Sequence, residues 1–252
     1  MYLEAITICV NFSDVLAHTL PANKGHFDRF VVVTDPNDRA TWAVCRHHHV
    51  ECISTDQFYH NDAAFNKGRG ISCSMRQALT GQDWVLHLDA DIVLPPRARE
   101  MLDRAQLDPT AIYGIDRMMC PSFEAWNAHV TNPTCQHPDQ TFIIPEPFPM
   151  GPRVARLDID GYVPIGFFQL WNAKETGILD YPEEHGTAGR TDMLHAMRWP
   201  RPKRGLIPEI IGIHLEGPIE PGKKNWRGRQ MGPFGVAAAA PAGLVKGYAA
   251  SV

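Results

Sequence analysis

The sequence predicts an α/β fold, a doubly wound and mainly parallel sheet with helices on both faces and a loop-rich second half. Two observations predict it. Short apolar runs alternate with stretches of helical period through the first 95 residues, the order that βαβ units produce. One of those runs, Trp84-Val-Leu-His-Leu, ends in Asp89-Ala-Asp91, and open α/β sheets bind ligands at such strand ends. At 252 residues, 44% hydrophobic and 21% charged, the chain can bury a full core of this kind.

Ala5-Ile-Thr-Ile-Cys-Val-Asn11 reads as the first buried strand, and Val15, Leu16, Thr19 and Leu20 give the helical spacing of a crossover before Gly25. Phe30-Val-Val-Val-Thr34 is the second strand, and Asp35-Pro-Asn-Asp38 is a turn that places acceptors at its end. Residues 39–50 read as a helix and Val50–Ile53 as a third, short strand. His47, His48 and His49 point in three directions on a helix, so they read as a solvated helix end and not as a ligand set. Phe65-Asn-Lys-Gly-Arg-Gly70 breaks the pattern, with Gly68 and Gly70 expected either to turn the chain or to let backbone approach a phosphate. Ile71–Leu79 then resumes as a helix before the strand that ends at Asp89.

Asp89 and Asp91 carry the main chemical expectation. Alternate residues of a strand share a face, so both carboxylates are expected to lean toward one divalent cation. The pair is a weak signal alone, because with seventeen Asp a second Asp-x-Asp occurs at Asp158-Ile-Asp160. Context separates them: the first pair follows a fully apolar run, whereas the second alternates with Leu157 and Ile159 like an amphipathic edge.

With these residues in view the first ~95 positions resemble the nucleotide-sugar half of GT-A glycosyltransferases, in particular the family 2-like branch. Ile6–Asn11, Val31–Asp35, Asn66-Lys-Gly68, Met75-Arg-Gln77 and Leu88–Ile92 fall in that family's order and spacing. The resemblance implies a nucleotide-sugar donor, UDP-sugar favoured, contacted by Asn11, Asp35, Asn66, Lys67, Arg76, Asp89, Lys224 and Arg227. It further implies Mn²⁺ or Mg²⁺ held by Asp89, Asp91 and His214, the last at the end of the apolar run Leu206–Gly217. One departure is Met75-Arg76-Gln77, where the family often reads Ala-Arg-Asn. A nucleotidyltransferase is the alternative enzyme, disfavoured because Asn11-Phe-Ser-Asp14 replaces a glycine-rich loop after the first strand. A non-catalytic nucleotide-sugar-binding module is the alternative outside enzymes.

In the second half, residues 116–157 show no clear period and are expected to form long loops or a lid. Gly161–Trp171 is strand-like, and Gly189–Trp199 reads as a helix with Thr191 or Asp192 at its start and Met193, Leu194 and Met197 on one face. The resemblance makes Asp192 the catalytic base of an inverting transfer; the residues alone equally allow a helix cap. Residues 1–232 are expected to form one domain, divided near residue 95 into donor and acceptor halves, followed by an Ala/Gly-rich tail at 233–252. Between Arg198 and Arg229 the chain carries net +5 against −4 overall, which suggests a second anionic partner. A phosphate-bearing acceptor, a nucleic acid among them, stands beside a saccharide or small molecule. The six cysteines show no metal-ligand spacing, no apolar run reaches 18 residues and no leader is evident, so a cytoplasmic protein without a membrane span is expected.

Overall fold

The computed structural model describes residues 1–131, 157–158 and 161–235. In chain order the elements are β1 (Leu3–Ile8), α1 (Ser13–Asn23), β2 (Arg29–Thr34), α2 (Arg39–His47), β3 (Glu51–Ser54), α3 (Lys67–Ala78), β4 (Trp84–Leu88) and β5 (Ile92–Val93). They continue with α4 (Ala98–Arg104), β6 (Ile112–Cys120), α5 (Phe123–Thr131), β7 (Leu157–Asp158), β8 (Gly161–Tyr162), β9 (Phe168–Asn172), α6 (Ala173–Thr176), α7 (Thr191–Ala196) and β10 (Arg204–Leu215). Eight strands form one sheet in the order β3-β2-β1-β4-β9-β6-β10-β5. Pairings are parallel from β3 through β4 and between β6 and β10, while β9 and β5 run against their neighbours. Six strands therefore share one direction, which is the mainly parallel sheet expected.

Strand residues divide between two faces by the two-residue period. Leu3 and Ala5 of β1 pack with Leu16 and Leu20 of α1, Cys45 of α2 and Leu102 of α4. Ile6 and Ile8 pack on the other side with Ile71 and Met75 of α3 and with Ala196 beside α7. Both faces are thus covered, as near-continuous apolar strands require. A third cluster joins Val15, Ile213, Leu215 and Phe234, so the buried core runs past residue 232. Residues 236–252 lie outside the described residues, as do Cys135 and most of the expected lid.

The sheet cannot be flat. Leu88 and Ile92 are four residues apart, a reach of about 14 Å at most, yet β4 and β5 stand four places apart in the order, about 19 Å across flat strands. The far edge must curl back, and β10 supplies the bend: its register with β6 shifts between Leu206 and Ile211, around Pro208. Curling carries the end of β10 over the turn after β4.

Three sequence expectations change. Residues 112–131 are regular, forming β6 and α5 in place of loop. Helix α3 begins at Lys67, so Gly68 and Gly70 lie inside it. A Cβ at Gly68 would meet Pro182 O at 1.8 Å and one at Gly70 would meet Phe58 Cε1 at 2.0 Å, so these glycines serve close packing and not a turn. Finally, α7 buries Thr191, His195 and Ala196, whereas Leu194 and Met197 are exposed. Its apolar stripe does not mark its buried face.

Candidate active site

Asp89 and Asp91 sit just beyond β4, in the turn that the curl covers. They do not share a strand face as expected: Ile92 N donates to Asp89 O at 3.3 Å, and the chain turns before pairing resumes at β5. The two carboxylates consequently find different partners. Asp89 forms an ion pair with Lys67 Nζ from the first turn of α3, with His87 Nε2 3.7 Å away beneath it. Asp91 Oδ2 lies 3.0 Å from His214 Nε2, brought there by β10, and Leu215 N donates to Asp91 O at 2.8 Å.

The electrostatics tie the cluster together. Burial first, then Asp91 and Asp192, push the Asp89 carboxyl up, against the pull of Lys67. Burial works in the same sense on Asp91, yet His214, Arg117 and Lys67 together hold it below the usual carboxylate value. Asp89 thus feels both other carboxylates, and solvent still reaches it, with 27% of its side chain exposed.

Asp192 enters from the opposite wall. The N-cap of α7 is Arg190, in a left-handed conformation with φ 69°, and no side chain caps this helix. The Asp192 carboxylate therefore does not serve as a cap. Its Oδ2 instead accepts from Gly166 N at 2.7 Å, in the loop that leads into β9. Gly166 has to be glycine for this approach, because a Cβ there would stand 2.5 Å from Asp192 Cβ. A buried polar layer supports the arrangement from below. Gln169 Nε2 donates to Asp192 O at 2.9 Å and to Pro164 O at 2.8 Å, while Tyr181 donates its hydroxyl to Gln169 Oε1. His195 stacks on Tyr181 with ring centroids 4.2 Å apart, and burial lowers the His87 and His195 imidazoles well below their ordinary value, keeping them neutral.

The remaining residues singled out in the sequence are spread along this rim. Asp35 accepts from Asn37 N at 2.8 Å and stays partly open to solvent. Asn11 has φ 62°, with its N–H donating to Asp38 Oδ2 at 2.6 Å and its carbonyl accepting from Arg229 Nη1 at 2.6 Å. Asn66 caps α3, its Oδ1 accepting from Arg69 N while its Nδ2 donates to Glu183 O, both at 2.9 Å. Arg76 lies in the last turn of the same helix, about 13 Å along it from Lys67, where it donates to Ser72 Oγ and Glu183 Oε1. It is separated from the carboxylate cluster. Lys224 and Arg227 are exposed on the segment after β10.

Two residues escaped the sequence reading. Arg117 lies 4.4 Å over the Phe167 ring and helps hold Asp91 ionised, but a lone Arg inside an apolar strand carries no motif. Tyr59 is 41% exposed, and after burial the charges of Asp35 and Asp38 raise its hydroxyl. Its signal, an aromatic between the third strand and α3, is too common to single out.

Asp91 Oδ1 and His214 Nδ1 are buried without a hydrogen-bond partner among the described residues, so this pair has capacity to spare. No three His, Cys, Asp or Glu residues group closely enough to hold an ion among the described residues. Asp91 and His214 are the residues that would hold an ion, while Asp89 is turned toward Lys67.

The surplus positive charge is largely spent inside the fold. Arg198 pairs with Asp180, Lys203 with Asp108 and Arg229 with Asp14, all acids outside the basic segment. Arg229 also donates to Gly232 O and Met231 O, which pins the segment after β10 at this residue. No described helix is long and apolar enough to cross a membrane.

No family model and no curated protein matches the chain. Solved structures similar to it include the mannosyl-3-phosphoglycerate synthase of Rubrobacter xylanophilus, at 20% identity and TM-score 0.38, covering 47% of this chain and 41% of that one. The glucosyl-3-phosphoglycerate synthase of Mycobacterium tuberculosis with phosphoglyceric acid is similar at 10% identity and TM-score 0.48, over 86% of this chain and 73% of that one. The same enzyme with Mn²⁺, uridine diphosphate and phosphoglyceric acid is similar at 12% identity and TM-score 0.46, with 86% and 72% covered.

Proposed function

We propose that this chain is a glycosyltransferase that moves a sugar from a nucleoside diphosphate donor, a UDP-sugar by preference, to a hydroxyl acceptor with inversion. The observation that carries the reading is the convergence of Lys67–Asp89, Asp91–His214 and Asp192 at one strand end, each carboxylate on a different structural support. Asp91 and His214 would hold a divalent cation, Mn²⁺ or Mg²⁺, which would supply Lewis acidity toward the leaving diphosphate. Lys67 adds a fixed positive charge at the N-terminus of α3, where charge grows on the diphosphate as the glycosidic bond breaks. Asp35 and the Tyr59 ring offer the nucleobase an acceptor and an apolar face.

Asp192 suits the role of base. Gly166 N holds Oδ2, which leaves Oδ1 to take the proton of the acceptor hydroxyl as its oxygen attacks the anomeric carbon. Turnover of a panel of nucleotide sugars tests this reading. Activity is expected with Mn²⁺ and lost in EDTA, and Asp192→Asn should lower transfer by at least ~100-fold while keeping nucleotide binding. Full activity of the Asn variant would remove Asp192 from the chemistry and favour a retaining mechanism.

A further inference from the structure

Beside the carboxylate cluster opens a cleft of about 410 Å³, within the ~300–1,000 Å³ of small-molecule sites. Its walls include Asp62, Asn66, Arg69, Glu183, Glu184 and Arg227. Asn66, in the wall, is the N-cap of α3, one residue before Lys67. A Cβ at Gly68 would meet Thr191 Cγ2 at 2.6 Å, so the start of α3 packs on the start of α7, where Asp192 stands, and the cleft lies at the Asn66 end of this junction.

We propose that this cleft is the acceptor subsite, that it takes a neutral saccharide, and that Asn66 and Arg227, which the resemblance assigns to the donor, serve the acceptor instead. The inference rests on the glycosyl transfer proposed above and names its second substrate. Charge decides against an anion. Three carboxylates line the cleft, and of the two arginines Arg69 is already committed, lying 3.9 Å from Glu183 and donating to His60 O at 2.9 Å. A phosphate or carboxylate would meet more negative than available positive charge. Glu183 is occupied by Arg69 and Arg76, which leaves Asp62 and Glu184 against Arg227, and sugar hydroxyls suit that wall because they donate to the two carboxylates and accept from the guanidinium.

Trp226 supplies the second, independent feature. Its ring lies 3.3 Å from where a Gly189 Cβ would stand, and the residue is 57% exposed. Trp226 O accepts from Ala188 N at 2.8 Å, which fixes this segment against the cleft wall at Gly186 and Thr187. A large apolar face so exposed beside a polar cleft fits the stacking of a sugar ring, whose C–H groups bury against an aromatic while its hydroxyls turn to polar partners. Asp62 is held at the wall by strained backbone, since Asn61 and Asp62 are both left-handed with φ 57° and 56°.

The test uses the full chain with Mn²⁺ and UDP. Probes are the methyl glycosides of glucose, mannose, galactose and N-acetylglucosamine, with 3-phosphoglycerate as the anion, and binding is read by saturation-transfer NMR. At least one glycoside should bind; Trp226→Ala should weaken it about tenfold, Trp226→Phe should restore most of that loss, and UDP affinity and melting temperature should hold in both. Binding of 3-phosphoglycerate with no glycoside signal overturns the proposal. So does loss of UDP affinity in Trp226→Ala, which would put the donor in the cleft, and so does silence from every probe. A wild-type protein that binds a glycoside through Trp226 but never UDP would instead overturn the donor reading and leave the cleft assignment standing.

Discussion

Each residue of the site is placed by a support that its own type makes possible. Asp192 illustrates this: its carboxylate accepts from Gly166 N, and only a glycine lets the two backbones approach so closely. Gly166→Ala should therefore displace Asp192, lowering both turnover and melting temperature, whereas Asp192→Asn should cost turnover alone. Comparing the two by thermal denaturation and initial rates separates position from basicity. His214 yields a further expectation. If it shares the cation with Asp91, His214→Ala should raise the Mn²⁺ concentration needed for half-maximal activity, by about tenfold or more. An unchanged Mn²⁺ requirement would return His214 to a structural role. Asp89, Asp91 and Asp192 could be singled out in the sequence because the first two end a fully apolar run, the third opens a helix, and the resemblance gives each a role. Arg117 and Tyr59 could not, since nothing local distinguishes a functional Arg or Tyr from a packed one until the fold brings it to a carboxylate.

At the scale of elements, the strands could be read and the glycines could not. Apolar runs such as Phe30–Thr34 have one sensible fate when helices flank them, and β2 spans them almost to the residue. Gly68 and Gly70 resembled a turn because glycine costs about 1 kcal/mol inside a helix. Tertiary packing reverses that preference here: Pro182 O and the Phe58 ring occupy the space that side chains would need. Gly68→Ala is accordingly expected to destabilise by about 2 kcal/mol or more, measured by urea denaturation, although alanine is the better helix former. A more stable alanine variant would show that α3 does not pack as described. Helix α7 misled for a related reason. Its apolar residues Met193, Leu194 and Met197 share one face in the sequence, but the packing of His195 against Tyr181 and Trp171 leaves Leu194 and Met197 exposed, with only Met193 reaching the core.

For the whole molecule, the curl of the sheet is the feature no local reading could supply. It follows from a chain too short to cross a flat sheet and from the register shift near Pro208, and it is what joins His214 to Asp91. Chain closure makes a second long-range link. Arg229 grips Asp14 in α1 through two bonds of 2.5 and 2.7 Å, and Phe234 N donates to Asp14 Oδ2 at 2.7 Å. Despite burial, which alone would raise it, these contacts hold the Asp14 carboxyl below its ordinary value of 3.8. A carboxylate depressed in the folded state contributes stability above its unfolded value and loses it as pH falls through the folded one. Asp14→Asn should thus destabilise by about 2 kcal/mol at pH 7, with the difference from wild type shrinking below about pH 4. An equal penalty at pH 7 and pH 3 would mean that the ion pair adds nothing beyond its shape.

The central claim is that the turn after β4 binds a nucleoside diphosphate together with a divalent cation. Calorimetric titration of UDP measures this without requiring the acceptor or the sugar. Binding is expected in Mn²⁺, with its loss in EDTA and an affinity at least ~10-fold weaker in Asp91→Ala, whose melting temperature should stay near that of wild type. UDP affinity that is the same with Mn²⁺, with EDTA and in Asp91→Ala would contradict it.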